Sequence, residues 1–345
     1  MKTSRHNSAV YFAGLLLLIG GFAGILFIGA VCISPREVLM ALFCGEVNSP
    51  YVRTIVLETR LPMATAAVCC GASLSVAGLI MQTLFQNPLA GPSVLGISSG
   101  ASFGVAVFML GIGGLGGIAL GSWQPLASTV AALIGGMATI LILFLFSSIL
   151  KTAVTLLIVG LMISYLCSSG ISLLNYFSPA DEIRNFLVWG LGSFSGLRLS
   201  SAAWLAALTI LSLIPSIFFI KPLNALLLGE RYVESVGYSM KRMRGVLLVS
   251  TGLMVAVPTA FCGPIGFIGL IVPHLCRLIF KSSNHQILLP SCMLYGGVTG
   301  LLCAFIGVLP SAHFGVLPIN VITPIIGVPV ILYLLINRSR LPYFS

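Results

Sequence analysis

The chain has 345 residues, of which 58% are apolar and only 7% charged. An ordinary globular domain carries roughly 25% charged residues, and 17 basic plus seven acidic side chains cannot clothe a soluble protein of this length. Since a membrane crossing takes about 20 apolar residues, the composition describes a polytopic membrane protein, and the net charge of +10 must be read from where the charges sit.

The first apolar run, 9–32, follows Lys2, Arg5 and His6 as a signal peptide would. It is longer than a signal core and lacks a small-x-small cleavage pattern, so it reads as an uncleaved first crossing. Further spans are expected at 62–85, 94–112, 125–150, 153–177, 199–220, 244–262, 265–280, 287–309 and 319–337, which makes ten. Between the second and third lies a Gly/Pro-rich break, NPLAGPSVLGISSGA, opened by Asn87 and Pro88. The GIGGLG stretch (Gly111, Gly113, Gly116) imitates a dinucleotide fingerprint by its letters. It follows a helical run, has no acidic residue about 20 positions on, and reads as an outer turn. The turn at Lys151, Thr152, Ala153 and Thr155 joins the fourth and fifth spans.

Residues 221–244 form a long polar inner segment, LGERYVESVGYSMKRMR at its centre, with Gly229 and Gly237 interrupting good helix formers. Two short amphipathic helices at the membrane face are expected there, with a solvated loop as the other reading. The eighth span is short. Gly263, Pro264, Gly266 and Gly269 precede it and Pro273 lies within it, so a broken or re-entrant element is expected, covered by protein or a water-filled cavity. His274 follows Pro273 and reads as a hydrogen-bonded residue fixing the bend. The nine cysteines are odd in number, lie mostly inside apolar runs and show no zinc spacing, so they read as small packing residues.

The charges sort by side. With ten spans and the N-terminus inside, twelve of the 17 basic residues fall on the inner face, five of them within 221–244. The outer loops hold five basic residues (Arg36, Arg53, Arg60, Arg184, Arg198) against five acidic ones, so the whole excess of +10 lies inside. This is the positive-inside signature of a membrane protein with both termini cytoplasmic, and it removes any need for nucleic acid. The seven acidic residues all fall outside the expected spans, which disfavours proton or sodium coupling and hydrolysis within the membrane. The sequence contains no P-loop to cradle a nucleotide, and with no carboxylate in the spans the energy for transport is expected to come from another chain. The helix–break–helix plan of 60–101 recurs at 244–280, five spans later, which makes the two halves inverted repeats and points to a permeation path. Gly71, Ala77, Gly78, Gly296, Gly297 and Gly300 are the small residues expected to let helices approach closely.

Five stretches carry a resemblance: RLP at 60–62, QTLFQNPLAGPSVLGISSGA at 82–101, LGERYVESVGY at 228–238, GPIGFIGLIVPHLCR at 263–277, and LPINVITPIIGVPVILYLL at 317–335. In their order and spacing the chain resembles the FecCD permeases, membrane subunits of bacterial type II ABC importers for iron-siderophores, haem and cobalamin. The resemblance implies an all-α integral membrane fold, one transmembrane domain over 1–345 with about ten helices in two inverted repeats. It implies a homodimer or paralogous pair in the bacterial inner membrane, with two ABC ATPases inside and a substrate-binding protein outside. No cofactor belongs to this chain, and ATP and magnesium would sit on the ATPases.

By the same resemblance Gly229, Glu230, Arg231, Glu234, Ser235 and Gly237 are the ATPase-coupling residues, and Thr152, Ala153 and Thr155 match the cytoplasmic gate. That turn is equally what any two adjacent spans require. Arg53 and Arg60 are the binding-protein docking candidates, and Asn87, Pro88, Gly263, Pro264, Gly266, Pro273 and His274 mark the broken helices along the path. The chain departs from the family at Met63, where an arginine is usual, and at Phe305 and Leu309, where charged residues usually stand, so the docking set is incomplete. The expected function is ATP-driven import of an iron chelate, siderophore or haem, with cobalamin next, molybdate-type oxyanions further off, and an ion-coupled secondary transporter as the reading from another class.

Overall fold

The computed structural model describes residues 2–29, 31, 33–43, 50–115, 124–150, 152–309 and 315–336. Expectations placed on Cys32, Cys44, Glu46, Gly116, Lys151, Arg338 and Arg340 lie outside these residues, as do the side chains of Lys2, Arg5 and Ala153.

In chain order come α1 (Lys2–Phe27), α2 (Pro35–Phe43) and α3 (Pro50–Ile55). A π turn, Val56–Arg60, leads into α4 (Leu61–Leu84), so that 51–84 is one rod of 34 residues. At about 1.5 Å per residue that rod outruns a hydrocarbon core of about 30 Å, and its Arg53–Glu58 end needs no apolar surroundings. A 3₁₀ turn, Pro92–Leu95, precedes α5 (Ile97–Ala106), which widens into a second π stretch, Val107–Leu115. Then follow α6 (Gln124–Ile149), α7 (Ala153–Phe177), α8 (Ala180–Gly190), α9 (Leu199–Phe218), α10 (Ile220–Leu226), α11 (Glu230–Ser235), α12 (Met240–Cys262), α13 (Ile268–Phe280), α14 (His285–Val308) and α15 (Ile319–Ile336).

Among the described residues, seven helices are long and apolar enough to cross a membrane, and 97–113, 268–280 and 319–333 are shorter apolar helices. Each falls on one of the ten expected spans. The first is displaced: α1 begins at Lys2 and ends at Phe27, so the span at 9–32 is set too far along the chain. Pro273 lies inside a continuous α13, and the interruption expected there sits entirely ahead of Ile268. Helices α2 and α8 went unforeseen because they are not apolar runs. In α8, Asp181 and Glu182 occupy the first turn, where the helix dipole favours negative charge.

The chain divides into two compact units that interleave in sequence: Met1–Ser75, Ser193–Ile210 and Gly266–Ser345 form one, Val76–Gly192 and Leu211–Ile265 the other. In the first, α1 is fastened to α14 by tyrosines: Tyr11 donates to the Ile287 carbonyl at 2.6 Å and Tyr295 to that of Val10 at 2.9 Å. There α4 and α14 meet backbone to backbone. A Cβ on Gly71 would strike the Gly296 carbonyl, and one on Gly300 would strike the Ala67 carbonyl, so the small-residue expectation holds at this crossing.

In the second unit the same device joins α5 to α6, where Gly135 faces Gly100 and Gly104 faces Ala131. Gly136 and Ile140 of α6 then take α12 through Ala256 and Gly252. Ala101, Val105, Leu110, Ala132 and Ala260 are buried in the apolar core that results. The described cysteines are thiols, Cys69 partly buried and the other six buried, in keeping with a packing role.

Candidate functional site

Two interrupted segments punctuate the fold. At the first, α4 ends at Leu84 and Gln86 takes a left-handed turn at φ 45°. Asn87 then folds the chain with its own side chain, its Oδ1 accepting the Leu89 N–H at 2.9 Å while its carbonyl accepts the Ala90 N–H at 3.0 Å. Asparagine suits this place because its side chain mimics the backbone of a turn. Pro88 follows, partly buried, and Pro92 opens the 3₁₀ turn. Gly96 closes the break at φ 75°, and its Cα faces the Gly160 carbonyl and Ser164 so closely that a Cβ would lie 2.6 Å and 2.8 Å from them.

The second interruption runs from Gly263 to Phe267. Gly263 leaves α12 at φ 76°, ψ 173°, a region almost closed to residues with a Cβ. Its Cα lies against the Trp189 carbonyl, 2.6 Å from where a Cβ would stand. Pro264 continues the turn. Further on, the Gly266 N–H is taken by the side chain of Asn320, 54 residues away, at 3.1 Å. Phe267 then adopts φ 66° before α13 begins. Inside α13 both Pro273 and His274 are buried, His274 at 3% exposure. Asn320 was not among the expected site residues; its place in LPINVITP was the only signal available.

The polar stretch 221–244 forms two short helices, as expected. Val233 is the buried anchor of α11, while Arg231, Tyr232, Glu234, Ser235 and Val236 face outward. Both glycines have structural work: Gly229 enters α11 at φ 109°, and Gly237 leaves it at φ 90°. The Tyr238 N–H reaches back to Val233 and the Gly237 N–H to Glu234, a glycine-closed helix end. Glu230, expected at the ATPase contact, is first an internal partner: it receives Arg244 Nη2 at 2.8 Å, tying α11 to α12. Leu227 and Leu228, 48% and 69% exposed, protrude between α10 and α11. Gln86 of the first break reaches the same segment, its Nε2 donating to the Leu226 carbonyl at 3.4 Å.

At the turn between α6 and α7, where a gate is expected, Thr152 caps α7, its Oγ1 accepting the Thr155 N–H at 3.2 Å and lying 2.6 Å from Thr155 Oγ1. Both threonines are exposed, and Ala153 is the first residue of α7. The docking pair separates. Arg53 is exposed, but Arg60 is only 5% exposed and donates to the carbonyls of Leu26, Phe27 and Val31. The π turn rotates Arg60 inward, where its cation satisfies the last carbonyls of α1. As a surface docking residue Arg60 is therefore corrected to a helix cap. Met63 is buried at 5% exposure. No group of His, Cys, Asp and Glu suited to a metal ion occurs among the described residues.

Long apolar helices, two interrupted segments and two short helices linked to the first of them are thus the parts of this fold. The FecCD transport family profile matches residues 15–337. The vitamin B12 import system permease proteins BtuC of Salmonella paratyphi A and Salmonella typhi are each 37% identical over 301 residues, covering 86% of this chain and 88% of theirs. A solved structure described as an inward-facing conformation of an ABC transporter superposes with a TM-score of 0.82 at 28% identity, covering 96% of this chain and 99% of that one. The chain belongs to the FecCD transport family. It is the permease of an ABC importer, a transport component with no catalytic activity of its own.

Proposed function

We propose that this permease imports a bulky metal chelate, an iron-siderophore or haem, from the outer face of a bacterial inner membrane to the cytoplasm, driven by ATP hydrolysed on two partner ATPases. A second permease subunit completes the path, and a substrate-binding protein delivers the chelate from outside. Both termini and the α10–α11 segment lie on the cytoplasmic side, a reading supported by the twelve inner basic residues.

The observation that carries the reading is mechanical. Within one compact unit, the exposed face of α11 is joined to α12 through Arg244 and Glu230, and the end of α10 is joined to the first break through Gln86. A push on α11 from an ATPase therefore has two hydrogen-bonded routes, one into a long span and one into an interrupted helix. Rigid elements with fixed contacts are what a closing motion needs in order to be passed on. Glu234, Arg231 and Tyr232 form the contact face, Thr152 and Thr155 cap the inner gate turn, and Arg53 is the remaining docking arginine.

Cobalamin is the second reading, favoured by the 37% identity to vitamin B12 permeases. Proteoliposomes holding the assembled transporter, its binding protein and enclosed ATP decide the matter. Iron-chelate accumulation that requires ATP is the expected result, reduced at least tenfold by Glu234→Arg with the chain still inserted. Cobalamin uptake alone selects the second reading. Uptake driven by an ion gradient without ATP overturns the proposal.

A further inference from the structure

A groove of about 390 Å³ opens where the end of α6 meets the start of α12. Phe144, Gly245 and Val246 supply its apolar wall, and Ser147, Ser148, Ser239, Lys241 and Arg242 line the rest. Its volume falls in the range of about 300–1,000 Å³ typical of small-ligand clefts. Gly245 keeps the groove open, since a Cβ there would come within 3.0 Å of the Phe144 ring.

Among the described residues no carboxylate pairs with the charge in this groove. Lys241 and Arg242 are exposed; of the two acids on the adjoining α11, Glu230 is engaged by Arg244 at 2.8 Å, and Glu234 is exposed and forms no ion pair with either cation. The first-turn N–H groups of α12 add a partial positive charge. One of them, that of Arg242, is capped by Ser239 Oγ at 3.4 Å. The serines of α6 bring the opposite chemistry. Ser147 and Ser148 spend their protons on the carbonyls of Phe144 and Leu145, both at 2.7 Å, which leaves oxygen lone pairs as acceptors. A matching ligand thus carries an anionic phosphate for Lys241 and Arg242, and hydroxyl donors for Ser147 and Ser148. Two cations in the wall disfavour a headgroup that ends in an ammonium.

The groove also continues as apolar surface. Leu141, Leu145 and Ile149 are 58%, 54% and 72% exposed and follow one another at four-residue spacing along α6, beside Phe144 and Ser148. A hydroxylated phosphate head at the membrane face and an acyl chain along that stripe describe one molecule. We infer that this groove binds an anionic glycerophospholipid of the phosphatidylglycerol type. Its placement in the inner leaflet rests on the orientation proposed above. Basic pockets between helices at the cytoplasmic face are suited to such headgroups.

The test uses the whole transporter, purified with its ATPase, stripped of lipid and returned to phosphatidylcholine vesicles with or without phosphatidylglycerol. Native mass spectrometry reads the lipid retained. The wild type is expected to keep phosphatidylglycerol. Lys241→Gln with Arg242→Gln is expected to lower retention roughly tenfold or more, at about 1 kcal/mol per basic residue. Ser148→Phe, which fills the groove and leaves both charges, should lower it similarly. Undiminished retention in both variants overturns the site. Competition by glycerol phosphate at equal strength overturns the lipid in favour of a free headgroup. Loss of the ATPase from the double variant in lipid-free micelles overturns it in favour of a protein contact. Protease access to 221–244 from outside intact cells would overturn the orientation alone, since lipid retention is read independently of sidedness.

Discussion

The two interrupted segments share a sequence plan and are held in different ways. At the first, the turn is written into its own residues: Asn87 folds the chain with its own side chain, and Pro92 starts the 3₁₀ turn. At the second, the backbone passes through Gly263 and Phe267 in left-handed conformations, and the N–H between them is satisfied by Asn320, 54 residues away in sequence. One break is local chemistry and the other is tertiary structure. A locally coded break can persist while its surroundings move, whereas a remotely held one is sensitive to the element that holds it. The first break also carries the link to the α10–α11 segment.

Adding one methyl group to the second break tests this difference most severely. Gly263→Ala places a Cβ in a glycine-only conformation and 2.6 Å from the Trp189 carbonyl. The combined strain and crowding should cost about 2–5 kcal/mol. Gly96→Ala in the first break meets a similar obstacle, but with a conformation that costs a residue about 1–2 kcal/mol, so its loss should be smaller. Thermal unfolding of the purified proteins measures both. If Gly96→Ala proved the more damaging of the two, the ranking of the breaks would be reversed.

Asn320→Leu removes the acceptor of the Gly266 N–H and should destabilise the fold by about 1–3 kcal/mol. Asn320→Asp keeps an acceptor oxygen and is expected to recover most of the loss, while Asn87→Ala at the first break should cost less than Asn320→Leu. Equal thermal stability of Asn320→Leu and the wild type would remove the tertiary clamp from the account.

The sequence made the spans legible because apolar runs, proline and charge mark them directly, and the break at Asn87 because its turn residues are adjacent. It also exposed the α10–α11 segment, whose glycines at 229 and 237 stand where positive φ is needed. What stayed hidden depended on residues brought together by folding. The pairing of Arg244 with Glu230 depends on the chain reversing at Gly237, and the inward turn of Arg60 on an extra residue in a π turn. Nothing in the composition of 50–60 announces that π turn, so an arginine that looks like surface charge is in fact the cap of α1. Asn320 is likewise one polar residue in an apolar helix until Gly266 is placed beside it.

The smallest structural effect is expected at Gln86, and there the readout shifts from stability to function. Its hydrogen bond to Leu226 is long, 3.4 Å, and made by a largely exposed side chain. Gln86→Leu should therefore change stability by only about 0.5–1 kcal/mol. If the bond transmits motion between the α10–α11 segment and the first break, a transporter assembled with the variant should show nearly the wild-type rate of ATP hydrolysis by its partner ATPases in proteoliposomes while moving several-fold less substrate per ATP. Gln86→Glu, which has no donor for the carbonyl at neutral pH, should behave in the same way. An unchanged ratio of transport to hydrolysis in both variants would show that the first break is mechanically independent of the α10–α11 segment. The Arg244–Glu230 tie to α12 would then be the route that remains.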